Sequence, residues 1–160
     1  MFKIVLNLPF IKQDFCPQKC MVYRICINKG AIILELFADI LRDADKIDIL
    51  KVNVEVPLEE IYNVSTDDLM QAEVTKEVMQ SFSEEHAILR ALKRTPVDHV
   101  VGHISLVYEL VYPISLKIVK EQDYLDKLMS FPSQNPKTLE QFEQLRGMMQ
   151  DYINRSCHCS

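Results

Sequence analysis

Three glycines stand among 160 residues, and this scarcity constrains the fold more than any other feature of the chain. Tight hairpin turns and phosphate-cradling loops lean on glycine, because a residue without Cβ enters the left-handed region at no steric cost. The sequence accordingly holds no G-x-G-x-x-G and no G-x-x-x-x-G-K-[ST] motif. Helices joined by non-glycine turns are the expected architecture, an all-α fold. The length suits one domain around one hydrophobic core. Hydrophobic residues at 48% and charged ones at 26% exclude a disordered or fibrous chain.

Eighteen basic residues against 23 acidic ones give a net charge of −5. That balance argues against an extended nucleic-acid surface and leaves room only for a local basic pocket. Five cysteines, an odd number with two in the last four residues, do not make a disulfide framework and read as reduced thiols. Asn7, Pro9 and Lys12 interrupt the apolar run Ile4–Val5–Leu6, so no signal peptide is read. No stretch approaches the ~20 apolar residues of a membrane span. A cytoplasmic location with no membrane partner is expected.

Along the chain, residues 1–30 stand apart as an atypical segment, irregular or in short strands. Met1–Phe10 reads as a short strand or apolar edge, Asp14–Lys19 as a turn at Pro17, and Cys20–Asn28 as a strand rich in β-branched and aromatic residues. From Gly30, Ile32, Ile33, Leu36, Phe37, Ile40 and Leu41 recur at helical spacing on toward Ile47 and Leu50, which predicts a helix with a broad buried face. Helix starts follow at Pro57, at Ser65 with Asp68 three residues on, and at Thr75. Thr95-Pro96-Val97-Asp98 places an N-cap, a first-turn proline and an acid ahead of the stripe Val100, Val101, Ile104, Val107 and Leu110. Pro113 marks a break, Ser115–Met129 a further helix, Phe131–Pro136 a loop, and Thr138–Ile153 a last helix with Phe142, Leu145, Met149 and Tyr152 on one face. Residues 31–156 are thus the helical domain and 157–160 a frayed tail.

The chemistry concentrates in Leu36–Leu50, where Asp39, Asp43, Asp45 and Asp48 surround Arg42 and Lys46 in an otherwise apolar helix. Aspartate is a poor helix-interior residue, since its short carboxylate competes with the backbone, so this density marks a helix end, a solvated face or a site. Arg42-Asp43-Ala44-Asp45-Lys46-Ile47-Asp48-Ile49 resembles the R-D-A-D-K-L-D-I segment of bacterial HD-domain proteins, an all-α superfamily of metal-dependent phosphohydrolases. Two downstream segments, Thr95-Pro96-Val97-Asp98-His99-Val100-Val101-Gly102-His103 and Tyr124-Leu125-Asp126-Lys127-Leu128, are similar to helices of that family in the same order. The resemblance covers about Leu36 to Ile153.

That resemblance implies an HD-like helical bundle and hydrolysis of nucleotides or other phosphate esters. It implies a divalent metal held by a first His, a His-Asp pair and a final Asp. The final Asp carries over to Asp45, with Asp43 as second choice, and Arg42, Lys46, His99 and His103 are candidates to border the pocket. The metal would polarise a phosphate and activate water. Yet the histidines are His86, His99, His103 and His158, none precedes Asp45, and no His-Asp dipeptide occurs. The expectation is therefore the later part of an HD domain behind a foreign, truncated or frame-altered N-terminus. Its ligand set is incomplete, its metal binding weak and its activity impaired or absent, with no catalytic residue assigned. The alternative is a non-catalytic helical binding module or remnant. The partner in the active case is a phosphate-containing small molecule.

Three lesser constellations remain. His99 and His103 share a helix face at i, i+4, a spacing that suits metal but lacks a third ligand; a helix–helix contact is the plainer reading. Cys16, Cys20 and Cys26 with Cys157-His158-Cys159 lack the C-x2-C spacing of zinc sites and read as free thiols. Arg90, Lys93 and Arg94 form a basic cluster that would face phosphate oxygens in a complete site and otherwise is a solvated surface.

Overall fold

The computed structural model describes the backbone of residues 17–158 and the side chains of residues 32–156. The described residues form eight α-helices: α1 Pro17–Glu55, α2 Leu58–Tyr62, α3 Thr66–Gln71, α4 Lys76–Ser83, α5 Pro96–Ile104, α6 Pro113–Gln122, α7 Tyr124–Met129 and α8 Pro136–His158. Two 3-10 segments, Arg90–Leu92 and Ser105–Glu109, precede and follow α5. The fold is all-α. The chain divides into two units, Met1–Phe37 and Ala38–Ser160. Of the expected N-terminal strands, Cys20–Asn28 is helical instead, and Met1–Phe10 lies outside the described residues. The β-branched content of Cys20–Asn28 is a weak local preference that a long helix overrides.

The scarcity of glycine is visible in the turns. All three glycines sit inside helices, and none of them has a positive φ. The left-handed positions are instead Asn63 after α2 (φ 52°), Glu85 after α4 (φ 59°) and Asp123 between α6 and α7 (φ 61°). Asn and Asp tolerate this region better than other residues with a Cβ. Asp123 also splits the expected helix Ser115–Met129 into α6 and α7.

The core of the second unit surrounds α5, which packs against α3, α4 and α7. Val97, Val100, Val101 and Ile104 are fully buried on it, joined by Phe82 from α4 and Leu145 from α8. Each such side chain contributes roughly 1.5–3 kcal/mol through burial. The expected N-cap at Thr95 is present and forms a capping box with the first-turn acid: Asp98 N–H donates to Thr95 Oγ1 at 3.3 Å and Thr95 N–H to Asp98 Oδ2 at 2.9 Å. Asp98 accepts two more amides, from Arg94 at 2.8 Å and from Thr75 at 2.9 Å. One buried carboxylate thus holds the start of α5 and the start of α4 together.

Extended backbone between α3 and α4 finds partners in side chains around the start of α8. Ser133 Oγ donates to Met70 O at 2.9 Å, Thr138 Oγ1 to Ala72 O at 2.8 Å, and Gln141 Nε2 to Val74 O at 2.8 Å. Gln141 Oε1 accepts Val74 N–H at 3.2 Å. Buried peptide groups must be paired, and here side chains do what a strand would otherwise do.

The apolar pattern at the start of α1 departs from its expected burial. Ile32, Ile33, Leu36, Phe37, Ile40 and Leu41 are all exposed, Leu41 at 68%. The inward stripe begins at Asp43, which is 2% exposed, and continues through the half-buried Ile47 to buried Leu50. Asp43 Oδ1 accepts Val111 N–H at 2.9 Å, while Oδ2 accepts Tyr112 N–H at 3.0 Å and Ser115 Oγ–H at 2.6 Å. Tyr112, the N-cap of α6, supplies no side-chain cap of its own. The carboxylate of α1 caps α6 from across the fold, where the helix dipole also favours a negative charge.

Removing that acceptor leaves buried donors unpaired, so Asp43→Ala should cost about 3 kcal/mol in urea unfolding. Exposed Asp45→Ala should stay within about 0.5 kcal/mol.

Candidate functional site

The two carboxylates singled out for a metal have separate fates. Both oxygens of Asp43 are taken by Val111, Tyr112 and Ser115. Burial pushes its carboxyl up, but the Ser115 hydroxyl, the two amides and the Lys46 charge outweigh this and hold it below the ordinary carboxylate range. It is a structural anion. Asp45 is exposed on α1. Lys46 Nζ donates to Glu109 O at 2.9 Å and pairs with the Glu109 carboxylate at 3.3 Å, and Arg42 pairs with Asp39 one turn back. Among the described residues no group of three or more His, Cys, Asp or Glu side chains converges as a metal site. The side chains of Cys16, Cys20, Cys26, Cys157 and Cys159 lie outside the described residues.

His99 and His103, by contrast, come together with groups the sequence did not connect to them. They line an open cleft of about 420 Å³ with Ile61 and Tyr62 of α2, Arg90 of the 3-10 segment and Lys93 just beyond it. Arg94 does not line it. The Tyr62 ring lies at 5.7 Å from both imidazoles, inclined by 28° to His103 and 33° to His99. His86 does not line this cleft and bonds to Glu84 at 3.0 Å on the surface.

The polar contacts behind the cleft fix the tautomer of His103. Tyr62 Oη lies 2.5 Å from Asn53 Oδ1 and 2.8 Å from His103 Nδ1, which is itself 3.0 Å from Asn53 Oδ1. Asn53 Nδ2 donates to Ile49 O at 2.8 Å, so Oδ1 is the atom turned toward the ring. An oxygen pair at 2.5 Å requires the tyrosine proton between its members, and two acceptors would otherwise repel. Tyr62 therefore donates to Asn53, and the His103 Nδ1–H donates to the same pair. Nε2 is left bare.

Charge in the cleft is unbalanced. Burial pushes His103 down to about 4, with Lys93 and His99 adding in the same direction. Burial and Lys93 also lower His99, against a smaller opposing pull from Asp98. Lys93 is lowered by burial and by Arg90, again opposed by Asp98. The carboxylate oxygens of Asp98 are turned to backbone amides, and no carboxylate lines the cleft. Neutral imidazoles and two cations are what this arrangement offers a ligand.

Sequence reasoning identified His99, His103, Arg90 and Lys93 but missed Tyr62 and Asn53. Tyr62 comes from a five-residue helix and Asn53 from α1, and only the fold brings them to α5. The cross-fold role of Asp43 left one trace: a helix start at Pro113 preceded by Val111 and Tyr112, neither of which can cap it. Comparison of the chain with family models, curated proteins and solved structures gave no match.

A His whose folded value lies below its free value near 6.5 favours folding in its neutral form. The stability contributed is complete above about pH 6.5 and drains away as pH falls toward 4. At His103 the loss should be on the order of 2 kcal/mol by pH 4 after solvent screening. Urea midpoints measured at pH 7, 5.5 and 4.5 should fall in the wild type, and His103→Gln should flatten most of that slope.

Proposed function

We propose that this chain is a non-catalytic helical binding module related to HD-domain phosphohydrolases. The observation that carries the reading is the double fate of the acidic motif on α1. Asp43 is spent on backbone and hydroxyl donors of the 111–115 segment, and Asp45 is exposed without an imidazole beside it in any described metal-type cluster. A divalent metal needs several converging ligands held by partners of their own, and the described residues do not fit that need.

Relation to the HD family rests on the resemblance of the three segments and their order, together with a physical reason for one shared residue. Asp43 and the 111–115 segment are far apart in sequence and meet in the fold. This makes the first aspartate of the R-D-A-D segment a requirement of the helical packing, whatever the chemistry. Among the described residues no cluster of metal-type ligands supports hydrolysis, while a formed cleft beside α5 supports binding.

Metal content by mass spectrometry and hydrolysis of bis(p-nitrophenyl) phosphate with added manganese test the reading. The expected result is substoichiometric metal and turnover no higher than manganese alone, unchanged in Asp45→Ala. Stoichiometric metal with turnover abolished by Asp45→Ala would overturn it.

A further inference from the structure

Every large apolar side chain of α1 between Ile32 and Leu41 is exposed, and we propose that this face docks against the same face of a second copy of the chain as an antiparallel helix pair. The inference goes beyond the reading of the chain as a binding module and does not depend on the cleft beside α5. The size of the face is its first support. These side chains leave on the order of 800 Å² open, more than the ~300–600 Å² of the largest patch on a typical monomer and close to the ~800 Å² that each partner gives to a stable interface.

The second support is the arrangement of the exposed side chains as a seam. Leu34 at 72%, Phe37 at 59% and Leu41 at 68% stand alternately three and four positions apart, and exposed Ala44 continues the series. Carried back toward the start of the helix, the same register falls on Gly30, Ile27, Tyr23 and Cys20. An apolar repeat that averages 3.5 residues is the pattern by which one helix winds on another. It is distinct from the stripe that α1 turns to its own core through Asp43, Ile47 and Leu50, which lies about a third of a turn away around the helix. Ile33 and Ile40 flank the seam on one side and widen it.

Charge indicates what covers the seam. Residues 17–31 of α1 contain Lys19, Arg24 and Lys29 and no acid, whereas residues 32–55 contain six acids against three bases. A helix with oppositely charged halves is complementary to itself only when reversed. Parallel copies set like charge against like, and antiparallel copies set the basic half against the acidic one. With Leu34 facing Phe37 of the second copy, Gly30 comes level with Leu41 and Ile27 with Ala44, so a small residue meets a large one in both layers. Arg24 comes level with Ile47, between the exposed Asp45 and Asp48, and Lys29 with Arg42, whose charge Asp39 already answers. Each pairing occurs twice about a twofold axis, as an isologous interface requires. The acids beside the seam disfavour an anionic lipid surface, which calls for cations on the polar face of a helix.

The test follows the full chain by sedimentation velocity between about 1 and 100 μM, a range that covers micromolar self-association. The expected species is a dimer of twice the 18.6 kDa chain mass. Phe37→Gln and Leu41→Gln should each weaken it at least about a hundredfold, because each change falls on the interface twice. Leu89→Gln, at a side chain equally exposed but away from α1, should leave it intact. Circular dichroism should show the monomeric variants still helical. Arg24→Glu and Asp45→Arg should each weaken the dimer about tenfold, and the chain carrying both should recover wild-type association, since the exchanged charges again face their opposites. A monomer at every concentration, a dimer that survives Phe37→Gln and Leu41→Gln, or a monomer that sediments with phosphatidylcholine–phosphatidylserine vesicles overturns the inference. Failure of the double charge exchange to recover overturns the antiparallel pairing on which it stands.

Discussion

The carboxylate of Asp43 is the constraint on which the packing of residues 38–55 of α1 within the second unit depends. Four donor contacts converge on its two oxygens, from Val111 (to both), Tyr112 and Ser115, at distances between 2.6 and 3.2 Å. A buried charge without such partners would cost several kcal/mol, so the site is stable only when α1 and the start of α6 are both in place. Leu50 and Ile47 then follow into the core from the same helix face. Lys46, three residues further along α1, adds a tether to Glu109, just ahead of the segment that Asp43 holds.

Asp98 repeats the device at the centre of the unit. It is fully buried, accepts amides from Thr75, Arg94 and Thr95, and so links the starts of α4 and α5. Both aspartates answer the same difficulty. Short helices end often, every end exposes unpaired amides, and a chain that spends no glycine on its turns must pair those amides with side chains. A carboxylate with two oxygens can serve several donors at once, which explains why two buried aspartates organise three of the helix starts around the core, those of α4, α5 and α6.

How much of this could be read beforehand follows from the range of each interaction. The Thr95 cap of α5 and the Ser65 cap of α3 are local: donor and acceptor lie within three residues, and both were legible in the sequence. The all-α class was legible for the same reason, since helical periodicity is also a local signal. Asp43 is different. Its partners are 68 to 72 positions away, so its aspartate-rich surroundings suggested a helix end, a solvated face or a site, and the family resemblance made it the second choice for a metal ligand, while the fold makes it a cap. The exposed run Ile32–Leu41 errs the other way, because apolar periodicity states which face would be buried and not whether anything buries it. The cleft shows both limits at once: its histidines are spaced at i, i+4 on α5, but Tyr62 and Asn53 arrive from other elements.

The overall charge of −5 is a poor guide to the electrostatics of the cleft, and the two buried aspartates show why. Asp43 and Asp98 are counted as negative charges, yet their oxygens are turned inward onto amides and a hydroxyl and have little left for cations nearby. Asp98 still exerts some pull on Lys93 and His99, but in both it is outweighed by burial and by the neighbouring positive groups. Net charge sums over the chain, whereas a ligand meets only the groups whose bonding capacity remains unspent. Where carboxylates are used to close helix ends, the cations that would have paired with them are left over. Here Arg90 and Lys93 are left over on one wall of one cleft, so an acidic protein acquires a basic site through the way its fold satisfies its own backbone.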